Sequence, residues 1–330
     1  MSGPHLTHAT RPVAELLRFD CTLCGGCCEG VRVPLYNEDE VARARAAARD
    51  LGLDVDPVDE GSLRMSGGQC VFLGADGRCS IHGQLGMERK PIPCRQFPLI
   101  ALAAKNEHGE DETRVGIDPA AYGAFASWKQ GSTLPDTQVV AASTPAPGGQ
   151  DQLERALVRM CEDDDATVTG LLSVITREPA PRGELPPDFA ARWASRVSEV
   201  RLAGFVELDG PGPVLKRGLG PVAQASAAWT DSPPAWPGLP DELDRWAVEA
   251  LRRSLWLRLS ANIPNVSVAA LFVLGGAVAA AWTDPRPGPF VAALTAWLRA
   301  LRFELFWKSL AVDQATLMWL ATGQGPGPTR

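Results

Sequence analysis

The segment CTLCGGCCEG, residues 21–30, places four cysteines within eight positions. Neighbouring thiols in such number serve as disulfide partners, as metal ligands or in thiol chemistry. The N-terminal stretch MSGPHLTHATRPVAELLRFD contains no apolar core of signal-peptide length, so we predict a cytoplasmic location. Cytoplasmic thiols are kept reduced, and the cluster therefore favours metal binding or thiol chemistry over a disulfide framework.

The spacing of the first three cysteines is C-x2-C-x2-C, formed by Cys21, Cys24 and Cys27. A bacterial ferredoxin loop begins in the same way, with three thiolates around one face of an iron–sulfur cluster. Gly25 and Gly26 remove side chains from the inside of this loop, so that backbone N–H groups can approach the cluster sulfurs. This pattern predicts an iron–sulfur cluster.

The fourth ligand of a ferredoxin loop, three residues later and followed by proline, is missing here. Cys28 directly follows the third cysteine, and its side chain projects in a different direction, so it suits a second metal atom or a supporting position. Three distant cysteines, Cys70, Cys79 and Cys94, are the other candidates. His82 follows Cys79 at C-x2-H spacing, which makes it a plausible additional ligand.

Zinc is the alternative metal. Seven thiolates exceed the four that one tetrahedral zinc ion or one [4Fe–4S] cluster needs, so either two sites exist or some cysteines are structural. A common zinc ribbon has two C-x2-C knuckles, and the second knuckle does not occur in this sequence. We therefore expect an iron–sulfur cluster, with a structural zinc module for protein binding as the alternative.

Two longer segments resemble a known family. FDCTLCGGCCEGVRVPLYNEDEVARA and GQCVFLGADGRCSIHGQLGMERKPIPCRQFPL look like the YkgJ-type cysteine-cluster family, the CxxCxxCC domain thought to chelate zinc or iron. The resemblance runs from about Phe19 to Leu99. It implies a chelating set of seven residues: Cys21, Cys24, Cys27, Cys28, Cys70, Cys79 and Cys94.

The resemblance also implies roles beyond the cysteines. Arg95, Phe97 and Pro98 would complete the motif by packing or by hydrogen bonds near the site. A distant similarity to flagellin lysine N-methylases implies a protein-modifying role with a protein partner or protein substrate, whereas the predicted iron–sulfur cluster implies a redox role. The net charge of −7 gives no electrostatic footprint for nucleic acid, and we expect no nucleic-acid partner. The sequence predicts no catalytic residue, and it leaves open whether the protein is an enzyme.

The distribution of cysteine and tryptophan predicts two parts. Seven of the eight cysteines precede residue 95, whereas nine of the ten tryptophans follow residue 190. We predict an α+β chain, with a small loop-rich metal-binding N-terminal domain followed by a mainly α-helical C-terminal domain. The predicted bounds are 1–130 for the cysteine domain (core 19–99), 131–150 for a linker and 151–330 for the helical domain.

In the first part, local signals predict one helix and two hairpins. NEDEVARARAAARDLG begins with a capping-box pattern, Asn37 with Glu40, and Gly52 suits a C-terminal cap. Residues 70–82 are predicted to form a hairpin around Asp76-Gly77, and residues 97–118 a second hairpin with a polar loop.

In the second part, apolar residues at three- and four-residue spacing predict helices within 150–165, 187–204, 241–259 and 288–321. The Pro/Gly-rich stretch near 206–240 is predicted to be an extended surface loop. Residues 262–283 carry no charge, but they are rich in alanine and glycine, which favours a buried helix over a membrane span. Cys161 is predicted to be a buried helix residue and not a ligand.

Overall fold

A computed structural model of the chain gives a mixed α+β fold that is mostly helical. The chain divides into two compact units, Met1–Ser143 with Leu208–Leu215 (unit 1) and Thr144–Glu207 with Lys216–Arg330 (unit 2). The residues that the structure describes are 5–7, 17–20, 25–29, 33–132, 139–143, 149–200, 202, 213–229, 232–310, 316 and 319–320.

The first helix of unit 1, α1, spans Glu38–Asp50 and has the predicted caps. The backbone N–H of Glu40 donates to Asn37 Oδ1 at 3.0 Å, which stabilises the N-terminus by about 1 kcal/mol. At the other end, Gly52 has a left-handed φ of +67° and donates its N–H to Arg49 O, as glycine commonly does after a helix. Ala44, Ala47 and Ala48 on α1 are buried.

Short strands surround α1. Strands β2 (Val58–Asp59) and β3 (Ser62–Leu63) form one antiparallel pair, and β4 (Met65–Ser66) and β5 (Gln69–Cys70) form another. The core between these pairs and α1 is small, and it contains seven buried residues: Ala44, Ala47, Ala48, Val58, Leu63, Phe72 and Ile81. Because so little apolar surface is buried, other interactions must contribute to the stability of this region.

Residues 70–82 fold differently from the predicted hairpin of two strands. The chain does reverse at Asp76-Gly77, but only one antiparallel bridge, Leu73 with Cys79, forms beyond β5. A π-helical turn, Ile81–Leu85, follows directly. This turn carries the Ile81 side chain into the core, where Ile81 is 2% exposed. A π-helical turn therefore follows Cys79 in place of the predicted second strand.

The second predicted hairpin is confirmed. Strands β6 (Leu99–Lys105) and β7 (Asp111–Ile117) pair antiparallel, from Leu99 with Ile117 to Lys105 with Asp111. They belong to a four-stranded sheet with the order β1-β8-β6-β7, in which β1 is His5–Thr7 and β8 is Val139–Ser143. Strand β8 lies within the predicted linker and pairs parallel to β6. Helices α2 (Ile92–Gln96) and α3 (Ala124–Gln130) also lie in unit 1.

The remaining helices follow the predicted apolar periodicity, except that α5 and α7 were not predicted. They are α4 (Asp151–Cys161), α5 (Val168–Thr176), α6 (Pro187–Glu199), α7 (Pro213–Ser226), α8 (Asp241–Trp256), α9 (Val266–Thr283), α10 (Pro287–Ala300) and α11 (Glu304–Leu310). Cys161 is buried at the end of α4, as predicted.

Helix α9 is the central element of unit 2 and contacts α4, α5, α8 and α10. Two adjacent glycines let indole rings approach its backbone: Trp193 Nε1 donates to Gly275 O at 2.8 Å, and Trp297 Nε1 donates to Phe272 O at 2.9 Å. The helix is long and apolar enough to cross a membrane, with a mean hydropathy of 1.9, but 83% of it is buried. Such burial is typical of the core helix of a water-soluble protein.

Helix α7 corrects the prediction of an extended loop near 206–240. Leu215, Leu219 and Val222 are all buried and share one helical face. Gly218 lies against α10, where an added Cβ would come within 2.5 Å of the Ala296 Cβ. Glycine at position 218 therefore permits close packing of α7 against α10. Helix α7 continues through Pro221.

Candidate metal centre

The seven predicted ligands divide into a described and an undescribed set. Cys21 and Cys24 lie outside the described residues. The backbone of Cys27 belongs to a short 3-10 turn, Gly26–Cys28, but its side chain is outside the description. Cys28, Cys70, Cys79 and Cys94 are described, and all four are half-buried.

The loop before Cys28 is fixed by Gly25. Gly25 has a left-handed φ of +71°, and its carbonyl accepts a hydrogen bond from the N–H of Cys28 at 2.8 Å. An added Cβ would lie 2.7 Å from Gly77 O and 3.3 Å from Leu73 Cδ1. The loop therefore lies against the turn that precedes Cys79, and only glycine satisfies both the dihedral angle and the space.

A second contact joins the loop to β5. Glu29 and Gln69 form an antiparallel bridge, and Gln69 Nε2 donates to Glu29 Oε1 at 3.2 Å. Glu29 is only 4% exposed, although it carries a carboxylate. Because Cys28 precedes Glu29 and Cys70 follows Gln69, this bridge holds two candidate ligands on neighbouring segments. Glu29 and Gln69 were not among the predicted site residues, and no local signal identifies them.

Cys70, Cys79 and Cys94 all pack against the core of unit 1. Cys70 ends β5, Cys79 forms the bridge with Leu73, and Cys94 lies in α2. Three different elements therefore deliver these thiols to one side of the α1 core.

Helix α2 is attached to α1 through Glu40. The backbone N–H of Ile92 donates to Glu40 Oε2 at 2.6 Å, and the Glu40 side chain is buried. Only one of the two hydrogen bonds of the predicted capping box is therefore seen, because the carboxylate of Glu40 accepts from Ile92, 52 positions further along the chain. The Asn37 half of the pattern is as predicted.

The four described thiols interact electrostatically. Burial raises the pKa of Cys94 far above its ordinary value, and the nearby thiols of Cys70, Cys28 and Cys79 raise it further. Burial likewise raises the pKa of Cys70 to about 11, with an added contribution from Cys79. The ammonium group of Lys90 opposes both shifts. We call Cys28, Cys70, Cys79 and Cys94 the four-thiol group.

This donor set fits a soft metal. Thiolates select zinc and iron–sulfur clusters over magnesium or calcium. Within the described part of the chain, no three side chains of His, Cys, Asp or Glu are close enough to hold a single metal ion as they stand. His82 is exposed on the π-helical turn. Its role as an additional metal ligand stays a prediction.

The other motif residues connect α2 to the sheet. The N–H of Phe97 donates to Pro93 O at 3.1 Å, which ends α2, and Pro98 O accepts from the N–H of Asp118 at 2.9 Å. Pro98 is buried immediately before β6. Phe97 and Pro98 therefore set the point at which the chain passes from α2, which carries Cys94, into β6 of the four-stranded sheet.

Comparison with known proteins identifies the domain around these residues. Residues 20–115 match the family model CxxCxxCC, described as a putative zinc- or iron-chelating domain. No curated protein and no solved structure matches the chain significantly. The family match supports metal binding by this domain, and it contains all seven cysteines predicted as ligands.

Proposed function

We propose that the cysteine domain of unit 1 holds an iron–sulfur cluster and that the protein uses it in a redox reaction. The observation that carries this proposal is the four-thiol group, in which Cys70, Cys79 and Cys94 pack against one small core and the Glu29–Gln69 contact ties the Cys28 loop to β5. A structural role in packing alone would not require four thiols to share one location.

The spacing of the described thiols favours a cluster over a single ion. Cys70, Cys79 and Cys94 lie on three separate segments around one core, and Cys28 lies at the end of a loop with C-x2-C-x2-C spacing. A polynuclear cluster holds its thiolate ligands farther apart than a tetrahedral zinc ion does, and it also makes use of the C-x2-C-x2-C segment. Cys21, Cys24, Cys27 and Cys28 would supply ligands from the loop, and Cys70, Cys79 and Cys94 from the core.

When bound, the cluster would accept and donate electrons. The contribution of the chain is to exclude water from the thiols by burial against the α1 core and to place the positive charge of Lys90 beside Cys70 and Cys94. A nearby cation stabilises the more negative, reduced form of a thiolate-bound centre. A protein partner that exchanges electrons with unit 1 is part of this proposal, as is a cytoplasmic location.

Zinc is the second candidate, because one observation favours it specifically. Strands β2 to β5 contain only two residues each, and their core is small. Structural zinc supplies roughly 10–16 kcal/mol of apparent binding free energy to small loop-rich domains, which would stabilise this region. In that case unit 1 would be a protein-binding module, and the protein would have no redox role.

The deciding experiment is anaerobic purification of the full chain, followed by a visible spectrum and by iron, zinc and sulfide assays on the same sample. We expect a brown protein with iron and acid-labile sulfide, whose colour fades reversibly on reduction by dithionite. Colourless protein with stoichiometric zinc would establish the second candidate and remove the redox role. The variant Cys161→Ser is the matched control, because it removes a buried thiol from unit 2 and should leave metal content unchanged.

A protein-modifying role is the enzymatic form of the first proposal. It comes from the resemblance to flagellin lysine N-methylases and would require a separate methyl donor, from which a methyl group passes to a deprotonated lysine amine. It predicts methylated lysines in a partner protein that co-purifies with the chain. Mass spectrometry of such a partner, isolated from cells with and without this protein, tests it. Identical lysine masses in the two samples would rule out the modifying role and leave electron exchange.

A further inference from the structure

Glu40 is the buried acidic residue that joins the first helix to the last predicted ligand. Its side chain is 2% exposed, and its Oε2 accepts a hydrogen bond of 2.6 Å from the backbone N–H of Ile92. Ile92 is two residues before Cys94 and begins α2. A hydrogen bond to a charged acceptor in a buried place is stronger than an ordinary backbone contact.

We propose that Glu40 is a positioning residue for Cys94, so that the carboxylate of α1 sets where this thiol stands in the metal centre. This inference rests on the proposed function, because it assigns Cys94 to the metal. Glu40 does not touch the thiols as a ligand in this scheme. It acts through the backbone of Ile92.

The segment that leads to Cys94 needs such an anchor. Residues 86–91 include Gly86 with a φ of +95°, a 3-10 turn at Met87–Arg89 and Pro91. A five-residue helix then follows. Neither the turn nor so short a helix is stable by itself, so contacts with α1 must fix its position.

Two other polar contacts between α1 and this segment are exposed. Arg43 Nη1 donates to Glu88 O at 3.2 Å, and Arg89 pairs with Asp50 at the C-terminal end of α1. The side chains of the Arg89–Asp50 pair are each more than two-fifths exposed, and exposed ion pairs contribute little. The Glu40–Ile92 hydrogen bond is therefore a buried polar attachment between α1 and α2, in addition to the packing of Cys94 against the core.

Cys94 packs against the core that includes Ala44 and Ala47 of α1. Burial raises the pKa of Tyr36, just before α1, with smaller contributions from Cys94 and Glu40. A shift of α2 away from α1 would therefore move Cys94 away from this core and towards solvent.

Two readouts on the full chain test the proposal. In reduced, metal-free protein, the rate of alkylation by iodoacetamide is measured separately at Cys94 and Cys70 by peptide mass spectrometry. Loss of the hydrogen bond in Glu40→Ala should accelerate labelling of Cys94 relative to Cys70 by about tenfold. In metal-loaded protein, the same variant should release its metal to a chelator about tenfold faster.

Three further variants isolate the hydrogen bond. Glu40→Gln keeps an oxygen that accepts from Ile92 but loses the negative charge, which also pairs with Arg43 Nε at 3.5 Å, and it should label at a rate between those of wild type and Glu40→Ala. Asn37→Ala removes the cap of α1 and lowers its stability without removing the Ile92 contact. Asp50→Ala removes the exposed pair to Arg89. We expect both to leave the Cys94 to Cys70 labelling ratio unchanged.

The outcomes separate this inference from the proposed function. Equal labelling ratios in wild type and Glu40→Ala would overturn the positioning role, as would equal acceleration in Glu40→Ala and in Asn37→Ala or Glu40→Gln. A wild-type chain that binds neither iron nor zinc would overturn the metal function, while the labelling ratio would still decide whether Glu40 positions Cys94.

Discussion

The backbone of Gly25 lies against the carbonyl group of Gly77, so closely that a β-carbon on residue 25 would be 2.7 Å from that oxygen. This approach joins the CxxCxxCC loop to the turn before Cys79. The contact with Gly77 therefore explains why residue 25 is glycine, in addition to any contact of this loop with a cluster.

Substitution Gly25→Ala should therefore reduce both stability and metal content. The left-handed φ costs an alanine about 1–2 kcal/mol, and the collision with Gly77 adds to this cost. The matched control is Gly52→Ala, which has a similar φ of +67° but no atom within 4 Å of an added Cβ. Thermal melting and metal assays should show a larger loss for Gly25→Ala, with metal retained in Gly52→Ala. Equal losses would mean that the contact with Gly77 is unimportant.

Removal of single thiols should separate ligands from buried cysteines. Cys94→Ser and Cys70→Ser are expected to lower metal per chain to less than about half, because a centre that loses one thiolate is bound far less tightly. Cys161→Ser, in a buried thiol of unit 2, should keep the full amount. Metal assays after gel filtration measure this difference, and an unchanged metal content in Cys94→Ser would exclude Cys94 as a ligand.

Metal uptake should depend on pH with a definite sign. The pKa of Cys70 is raised to about 11 by burial, so this thiol is protonated at neutral pH in the metal-free protein. Metal ligands must be thiolates, and each such thiol therefore releases a proton on binding. Between about pH 6 and pH 8, affinity should rise about tenfold per pH unit for each protonated ligand thiol.

Calorimetric zinc titrations in two buffers of different ionisation enthalpy count these protons. The variant Cys70→Ser should release one proton fewer than wild type, and Cys161→Ser the same number. An identical count in Cys70→Ser and wild type would contradict the assignment of Cys70.

The core of unit 2 should tolerate no side chain at its paired glycines. An added Cβ at Gly275 would lie 2.3 Å from the Trp193 ring, and one at Gly276 would lie 2.2 Å from the Trp297 ring. Gly275→Ala and Gly276→Ala should each lower the free energy of unfolding by up to about 3 kcal/mol. Gly220→Ala adds a Cβ that meets no atom within 4 Å but precedes Pro221, which opposes the gain in helix propensity, so it should change the free energy of unfolding by less than about 1 kcal/mol. Urea unfolding followed by tryptophan fluorescence measures these changes, and a neutral Gly275→Ala would refute the packing argument.

Elements with local signals were predictable. Asn37 and Gly52 mark the ends of α1 by their own chemistry, and β6 and β7 alternate or run apolar on either side of a polar turn. Such signals act over a few residues, so no knowledge of the tertiary structure was needed.

Features that depend on distant partners were not predictable. Gly218 and Pro221 interrupt the apolar positions Leu215 and Leu219, which hid the helix from sequence reasoning. Gly218 is explained only by the proximity of Ala296. The carboxylate of Glu40 had a plausible local partner, but it bonds Ile92 instead. The clustering of Cys28 with Cys70, Cys79 and Cys94 was expected only if they bind one metal centre, and their role as ligands stays a prediction.

The all-round apolar surface of α9 has a consequence for how the chain is made. Helices α4, α5 and α8, which contact it, leave the ribosome before it, whereas α10 is synthesised afterwards. Until α10 emerges, one face of an 18-residue helix with a mean hydropathy of 1.9 has no cover. Nascent chains that stall in this interval expose apolar surface, and we expect them to be prone to aggregation.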